Sequence, residues 1–475
     1  MLRSAFPLVS HLPPKKPPRI RPRPPPVHRY AAAATSHPFT PPSLSPPLPP
    51  ASAYVHLPFC RKRCHYCDFP IVALGSSSPT PSPRGEGAED PRITDYVRLL
   101  LREVAATRPV PDADDGVPLE TVFFGGGTPS LVPPRLVAAV LDALRGQFGL
   151  SQCPEVSIEM DPGTFDAARL RELVGAGVNR VSLGVQAFQE DLLRACGRAH
   201  GLREVHEAVE IVTACEGLQN WSMDLISSLP NQTEAMWEES LRCTVDARPT
   251  HVSVYDLQIE QGTKFGQMYT PGVHPLPSDS ESANLYKIAS KRLSEAGYHH
   301  YEISSYCKPG YECKHNVTYW QNRSFYAFGL GSASYINSVR FSRPRRMKEY
   351  AEWVQNLEDG TWSHESRNSD MKEMAMDVVM LSLRTAWGLD LRSFSKSFGK
   401  SLTLSLCNTF KPFVESGLVV AMDMQRQALS PGDFELDLQS ECDSGSRSAF
   451  IRLSDPDGFL LSNELISLAF GIISP

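Results

Sequence analysis

No apolar run in the 475-residue chain is long enough to span a bilayer as a helix, so no transmembrane segment is expected. Acidic residues are missing altogether from residues 1–50, while seven of the 47 Lys and Arg and sixteen of the 41 Pro lie there. The rest of the chain therefore carries 53 acids against 40 bases, a balance of −13 behind the overall −6. That excludes the broad basic surface with which a protein holds nucleic acid. Also lacking is the cysteine framework of a small secreted protein: of eleven cysteines, eight are scattered and three cluster as Cys60, Cys64 and Cys67. Such usage fits a reducing compartment and a metal site. A hydrophobic content of 41% with 21% charged residues describes a soluble globular protein, long enough for two domains and a tail.

The acid-free opening at 1–50 is rich in Arg, Ser, Ala and Pro and lacks the apolar core of a secretory signal. It has the chemistry of an organelle transit peptide; the alternative is a Pro-rich tail that docks in a partner's groove. The apolar and basic mix of its first six residues favours the mitochondrion over the chloroplast. From residue 52 the pattern alternates. Strands are expected at 52–56, 121–124, 155–160, 180–185, 222–226 and 251–257, and helices at 93–107, 133–147, 166–176, 202–214, 234–246 and 282–296. A Ser/Pro/Gly/Glu-rich insert at 75–91 reads as a surface loop. Six β–α units imply a parallel sheet with helices outside and working residues at the carboxyl ends of the strands. After about residue 306 the alternation stops. Helices are expected at 372–383, 391–398, 402–415 (with a kink at Pro412) and 463–470. Strands at 417–421 and 450–453, either side of a gap at 430–448, read as a hairpin.

The residues with the most chemistry sit at the ends of the expected strands. Cys60, Cys64 and Cys67 follow the first strand at a C-x3-C-x2-C spacing. Three thiolates this close can ligate three irons of a cubane cluster and leave the fourth open. Zinc, with His56 or His65 completing four ligands, is the rival. Tyr66 is placed either to stack on an adenine or to pack in the core. Gly125-Gly126-Gly127-Thr128 follows the second strand, either as a backbone cradle for a ligand or as a tight turn. Glu159 and Gln186 end the third and fourth strands and Asp224 lies within the fifth, polar groups in apolar runs that need partners. An amine, a ribose diol or a guanidinium such as Arg198 would serve, and so would a polar network between neighbouring strands. His315-Asn316-Val317-Thr318-Tyr319-Trp320 joins an imidazole to two flat aromatic rings.

With these motifs the chain resembles the coproporphyrinogen dehydrogenase-like branch of the radical S-adenosylmethionine (SAM) proteins, and within it the haem chaperones of the HemW type. The resemblance covers most of residues 52–470. It implies a partial TIM-type (β/α)6 barrel at 51–306, a connecting segment at 307–371 and a smaller α+β, winged-helix-like domain at 372–475. It also implies a [4Fe–4S] cluster on Cys60, Cys64 and Cys67, and SAM contacts from Tyr54, Tyr66, Gly126, Gly127, Thr128, Glu159, Gln186, Arg198, Asp224 and Gln258. In such proteins the reduced cluster cleaves SAM to a 5′-deoxyadenosyl radical, fed by a donor such as a ferredoxin or flavodoxin. The coproporphyrinogen dehydrogenases carry another Cys two residues after the third; this chain has Phe69. That difference and the His315 motif favour haem handling, with haem as cargo, His315 as iron ligand, His200 as second candidate, and haem-accepting apoproteins, including respiratory-chain ones, as partners. Oxygen-independent oxidation of coproporphyrinogen III is the alternative activity, and a homodimer is compatible with either. The chain departs from the family at Asp161, often Asn, at Ser227-Ser228, and at 329–335, where many relatives have a His.

Overall fold

The computed structural model describes residues 49–75, 90–110, 117–218, 220–361, 370–439 and 447–474. The expected leader, apart from its last two residues, and most of the insert at 75–91 lie outside the described residues. All six expected strands form, as β1 (Ser52–Leu57), β2 (Leu119–Gly126), β3 (Leu150–Met160), β4 (Arg180–Gln186), β5 (Asn220–Ser227) and β6 (His251–Asp256). Between them run the helices α1 (Pro91–Ala106), α2 (Pro134–Phe148), α3 (Ala167–Gly175), α4 (Leu202–Thr213) and α5 (Glu234–Ala247), and α6 (Asp279–Glu295) follows β6. Local chemistry sets the helix starts. Asp90 caps α1 through Arg92 N–H, and Ser278 with Glu281 forms a capping box on α6.

The sheet does not end at six strands. β7 (His299–Glu302), β8 (Ser305–Cys307) and β9 (Tyr326–Phe328) extend it to nine, in the order β9-β1-β2-β3-β4-β5-β6-β8-β7. β9 lies parallel to β1, and β8 and β7 close the other edge antiparallel. Period-2 alternation sorts the side chains of this curved sheet. Val181, Leu183 and Val185 of β4, like Met223 and Leu225 of β5, join the buried apolar core. Ser182 and Gln186, like Asp224, line the interior cavity instead. The barrel interior is therefore polar while its outer layer is apolar.

The segment after β8 returns to the barrel. Helix Lys314–Trp320 carries the His315 motif against the start of β2, and helix Met347–Glu358 packs on α1. Their anchor is Glu103 of α1, which is fully buried. It accepts from Arg343 Nε at 2.8 Å, from Gly329 N–H at 2.8 Å and from the Tyr350 hydroxyl.

A second core gathers residues from Ala375 to Ile473. Its sheet has three antiparallel strands, with Phe450–Leu453 between Leu389–Asp390 and Val419–Met422. The expected hairpin is thus present, joined by a short third strand. The gap expected at 430–448 contains a helix, Pro431–Gln439, and helix Lys400–Glu415 runs through Pro412. Around the sheet lie helices Met371–Leu383, Leu391–Phe398 and Ser462–Ile473. Arg384 and Thr385 pin this unit to the barrel edge: Ile303 N–H donates to the Arg384 carbonyl at 3.0 Å and Thr385 bridges Glu302.

Replacing Glu103 with Ala would leave the Arg343 guanidinium, itself nearly fully buried, without its carboxylate. A loss of about 3–5 kcal/mol is expected, visible as a lower denaturant midpoint. An unchanged midpoint would show that this ion pair does not hold the returning segment.

Candidate functional site at the barrel mouth

The three cysteines stand on a loop that begins at strand Phe59–Cys60 and is closed by strand Val72–Ala73, its parallel partner. The loop braces itself, since Arg63 Nη1 donates to the carbonyls of Cys67 at 3.1 Å and Phe69 at 2.9 Å. His65 ties it to the barrel through its N–H, which donates to Cys196 O at 2.8 Å, and its Nδ1, 2.8 Å from Ala195 O. Both histidines that could complete a zinc site are thus occupied. His65 Nε2 is also 3.1 Å from Lys264 Nζ, while His56 contacts Tyr54 at 3.2 Å and Pro70 O at 3.0 Å. Among the described residues no three His, Cys, Asp or Glu side chains are placed to hold a single metal ion.

The donor set fits a cluster better. All three thiols line one cavity of about 860 Å³. Burial first, then the neighbouring Cys67 and Cys64, pushes the Cys60 thiol up to about 12, and burial likewise raises Cys67. Such thiols ionise readily only beside a strong positive charge, which a bound metal centre would supply. Hydrogen-bond donors already point at two of the sulfurs, Thr128 Oγ1 at 3.4 Å from Cys60 Sγ and Arg198 Nη1 at 3.6 Å from Cys64 Sγ.

The glycine stretch lines the cavity and also serves the fold. At Gly127 a Cβ would sit 2.7 Å from the Phe59 carbonyl oxygen, and at Gly126, where φ is +114°, 2.4 Å from the His56 ring. These glycines let β2 pass under the cysteine loop. Gly127 N–H donates to Leu57 O at 2.9 Å and Thr128 N–H to Phe59 O at 2.6 Å. Gly126 N–H also donates to Glu159 Oε2 at 3.0 Å, so the turn and the third strand meet here.

Glu159, Gln186 and Asp224 converge on the same cavity. Burial, reinforced by the charge of Asp224, lifts Glu159 to about 7. Asp224 is raised by burial too, although Ser182 Oγ at 2.8 Å and Ser222 Oγ at 3.2 Å donate to it. Gln186 ends β4 with φ of +72°, after a register shift between β4 and β5. Irregularities of this kind re-aim a side chain at a site. The guanidinium of Arg198 does not pair with these three groups. It binds Asp161 and also donates to the Gly184 carbonyl at 2.8 Å and the Tyr66 hydroxyl at 3.0 Å. Burial alone would raise Asp161, but Arg198 and His200 hold it below the ordinary carboxylate range.

Every expected SAM and cluster residue lines the cavity except Tyr54, which lies deeper and stacks on Phe123 at 6.2 Å. Gln258 is part of the wall. His315 is not, and the haem-ligand expectation for it needs correcting. Its ring is 1% exposed, with Nδ1 2.7 Å from Thr121 Oγ1 and Nε2 2.7 Å from the Tyr319 hydroxyl. Burial, then Arg180, lowers it to about 3. Thr121 lies five residues before Gly126 on β2, roughly 16 Å from the cavity end of the strand. In this structure the imidazole plugs the barrel floor, with both nitrogens engaged. His200 is also buried, its Nδ1 3.3 Å from Asp161.

Sequence reasoning missed part of the wall. Asp256, which ends β6 and accepts from Ser228 Oγ at 2.5 Å, follows the same strand-end rule that located Glu159. Arg384 and residues 459–464 of the C-terminal unit also line the cavity. No local signal in the sequence marks them.

The curved α/β sheet and the three-thiol loop at its mouth define a radical SAM protein, and the Radical SAM superfamily profile matches residues 54–243. The chain is 38% identical to the "Heme chaperone HemW" of Synechocystis over 90% of its own length and 98% of the relative's. To the protein of that name in Bacillus subtilis it is 32% identical, over 78% and 92%. The chain belongs to the HemW family. It is also 34% identical to the zebrafish "Radical S-adenosyl methionine domain-containing protein 1, mitochondrial", over 59% of this chain and 60% of that one. Among solved structures, the Escherichia coli coproporphyrinogen III oxidase HemN shares the fold, with a TM-score of 0.68 at 19% identity over 89% of this chain and 90% of that one.

The raised Glu159 carboxyl has a sign that can be measured. Between its ordinary value of 4.5 and about 7, the folded chain keeps a proton that the unfolded chain has released. Stability of the cluster-free protein should therefore fall as pH rises through that window. Glu159→Gln should flatten this fall in Tm. A pH slope that survives the substitution would assign the effect to another group.

Proposed function

We propose that the protein is a haem chaperone that carries a [4Fe–4S] cluster and SAM at the barrel mouth and delivers haem to apoproteins. The observation that carries this reading is the similarity to HemW proteins over 90% of the chain and 98% of the relative. Cys60, Cys64 and Cys67 would hold the cluster. Tyr66, Gly126, Gly127, Thr128, Glu159, Gln186, Arg198, Asp224 and Gln258 would hold SAM, with Tyr54 behind them. When bound, the pair supplies one-electron reductive chemistry at the SAM sulfonium, and a ferredoxin- or flavodoxin-like protein is the fitting donor.

The chain's own residues do the rest. Arg198 places a positive charge beside Cys64 and keeps it there through Asp161. Glu159 and Asp224, both held toward the neutral form by burial, gain when an ammonium or a diol arrives to share their charge. Phe69 lines the cavity where coproporphyrinogen dehydrogenases carry a cysteine, which weighs against that activity.

The acid-free first fifty residues suit an organelle address. The zebrafish relative is named mitochondrial, which supports the mitochondrion over the chloroplast; residues 1–50 fused to a fluorescent protein would show which.

Anaerobic reconstitution should give close to four irons per chain, and Cys64→Ala should lose most of them. A titration with haem should then saturate, and an assay with coproporphyrinogen III, dithionite and SAM should yield no decarboxylated product. Iron retained by Cys64→Ala would remove the cluster assignment. Product in the porphyrinogen assay would replace the chaperone reading with the dehydrogenase one.

A further inference from the structure

The cavity lies near the upper end of the usual size for a ligand pocket, and it has two unlike walls. Pockets for a single small ligand run from roughly 300 to 1,000 Å³, and about 860 Å³ is available, of which the cysteine loop and strand ends form only one wall. The facing wall belongs to the C-terminal unit and differs in character. It presents Phe459, Leu460 and Leu461, with Leu276 and Ile259 of the barrel's last loops nearby in the lining. Leu461 is 37% exposed, a large apolar side chain left uncovered. Among the described residues, Arg384 is the one basic side chain this unit adds to the lining, and Glu464 its one acid.

Arg384 is built in firmly. It is 5% exposed and caps helix Met371–Leu383. Its carbonyl is bound by Ile303 of the barrel edge, and its Nη2 donates to Asn463 Oδ1 at 2.7 Å. Burial pulls the guanidinium down to about 10, so it remains charged at neutral pH while poorly solvated. A carboxylate is the partner that such a group gains most from, because the fork of donors matches it geometrically.

We propose that this wall is the seat of the haem cargo, with Arg384, oriented by Asn463, receiving one propionate carboxylate while Leu460, Leu461 and Leu276 bear on the macrocycle. Glu464 on the same wall opposes a second carboxylate, so a single propionate is held. The assignment rests on the chaperone reading above and adds to it the place and chemistry of binding. It uses no residue at the cluster or SAM positions, so cargo and cofactor share one cavity on opposite walls.

The test uses the full chain with its cluster reconstituted. Soret titrations with haem and with haem dimethyl ester compare a ligand that has carboxylates with one that lacks them. The wild type should prefer haem by about tenfold, equivalent to 1.4 kcal/mol. Arg384→Met should lose that preference and Arg384→Lys should keep part of it, with iron content and SAM affinity unchanged in both. Equal binding of acid and ester by the wild type would overturn the proposal, as would an undiminished preference in Arg384→Met. Should Arg384→Met fail to fold, Asn463→Ala serves in its place and is expected to reduce the preference. If the wild type takes up haem in neither form, the chaperone reading itself fails, and that first titration separates the two failures.

Discussion

Two backbone hydrogen bonds decide where the chemistry can happen. The amides of Gly127 and Thr128 donate to the carbonyls of Leu57 and Phe59, and this joins the end of the second strand to the start of the cysteine loop. The approach leaves no room for a Cβ at Gly126 or Gly127. This junction and the contacts of His65 fix the position of the cysteine loop, alongside the packing of Tyr66 and Val72 on the core. The same turn delivers the Gly126 amide to Glu159 and the Thr128 hydroxyl to the Cys60 sulfur. Loop, turn and third strand thereby form one unit, with cluster ligands on one side and carboxylate on the other.

Around that junction the barrel interior is polar, which is costly unless every group finds a partner. Asp224 is the clearest case. It accepts from Ser182 and Ser222, and Ser222 in turn contacts His251, which reaches Tyr301. This chain of contacts runs from the cavity to the floor, where the Thr121–His315–Tyr319 triplet closes the barrel. Glu159 has fewer partners, and its carboxyl is correspondingly the one pushed near neutrality. Asp161 has the opposite history, held ionised by Arg198 although it is buried. The mouth of the barrel thus holds carboxylates prepared in two different states, by burial in one case and by an ion pair in the other.

Much of this was readable along the chain, because it depends on short spacings. Polar residues at strand ends in otherwise apolar runs pointed to Glu159, Gln186 and Asp224, and all three face one cavity. The His315 motif was read less well. An imidazole beside two aromatic rings suits a haem iron and a packed plug equally, and only the hydrogen bonds to Thr121 and Tyr319 separate the two. Strands β7 to β9 escaped notice because each is four residues or fewer and is stabilised by its neighbour, not by a pattern of its own. Helix Pro431–Gln439 was hidden by the Gly and Asp residues around it, which look like loop chemistry until Phe434 is buried against the second core.

By itself the sequence determined the β–α alternation, the three-thiol loop, the glycine turn and the strand-end carboxylates. Each of these is a matter of local periodicity or of residue type at a fixed separation, and folding cannot alter such separations. Tertiary structure alone decided that Arg384 and the residues near 460 face the cysteines across a shared cavity, since they lie more than three hundred residues away along the chain. It also decided that Arg198 serves Asp161 and Cys64, and that His315 closes the floor. These choices depend on which buried charge finds which partner, and that is settled only when the strands are set side by side.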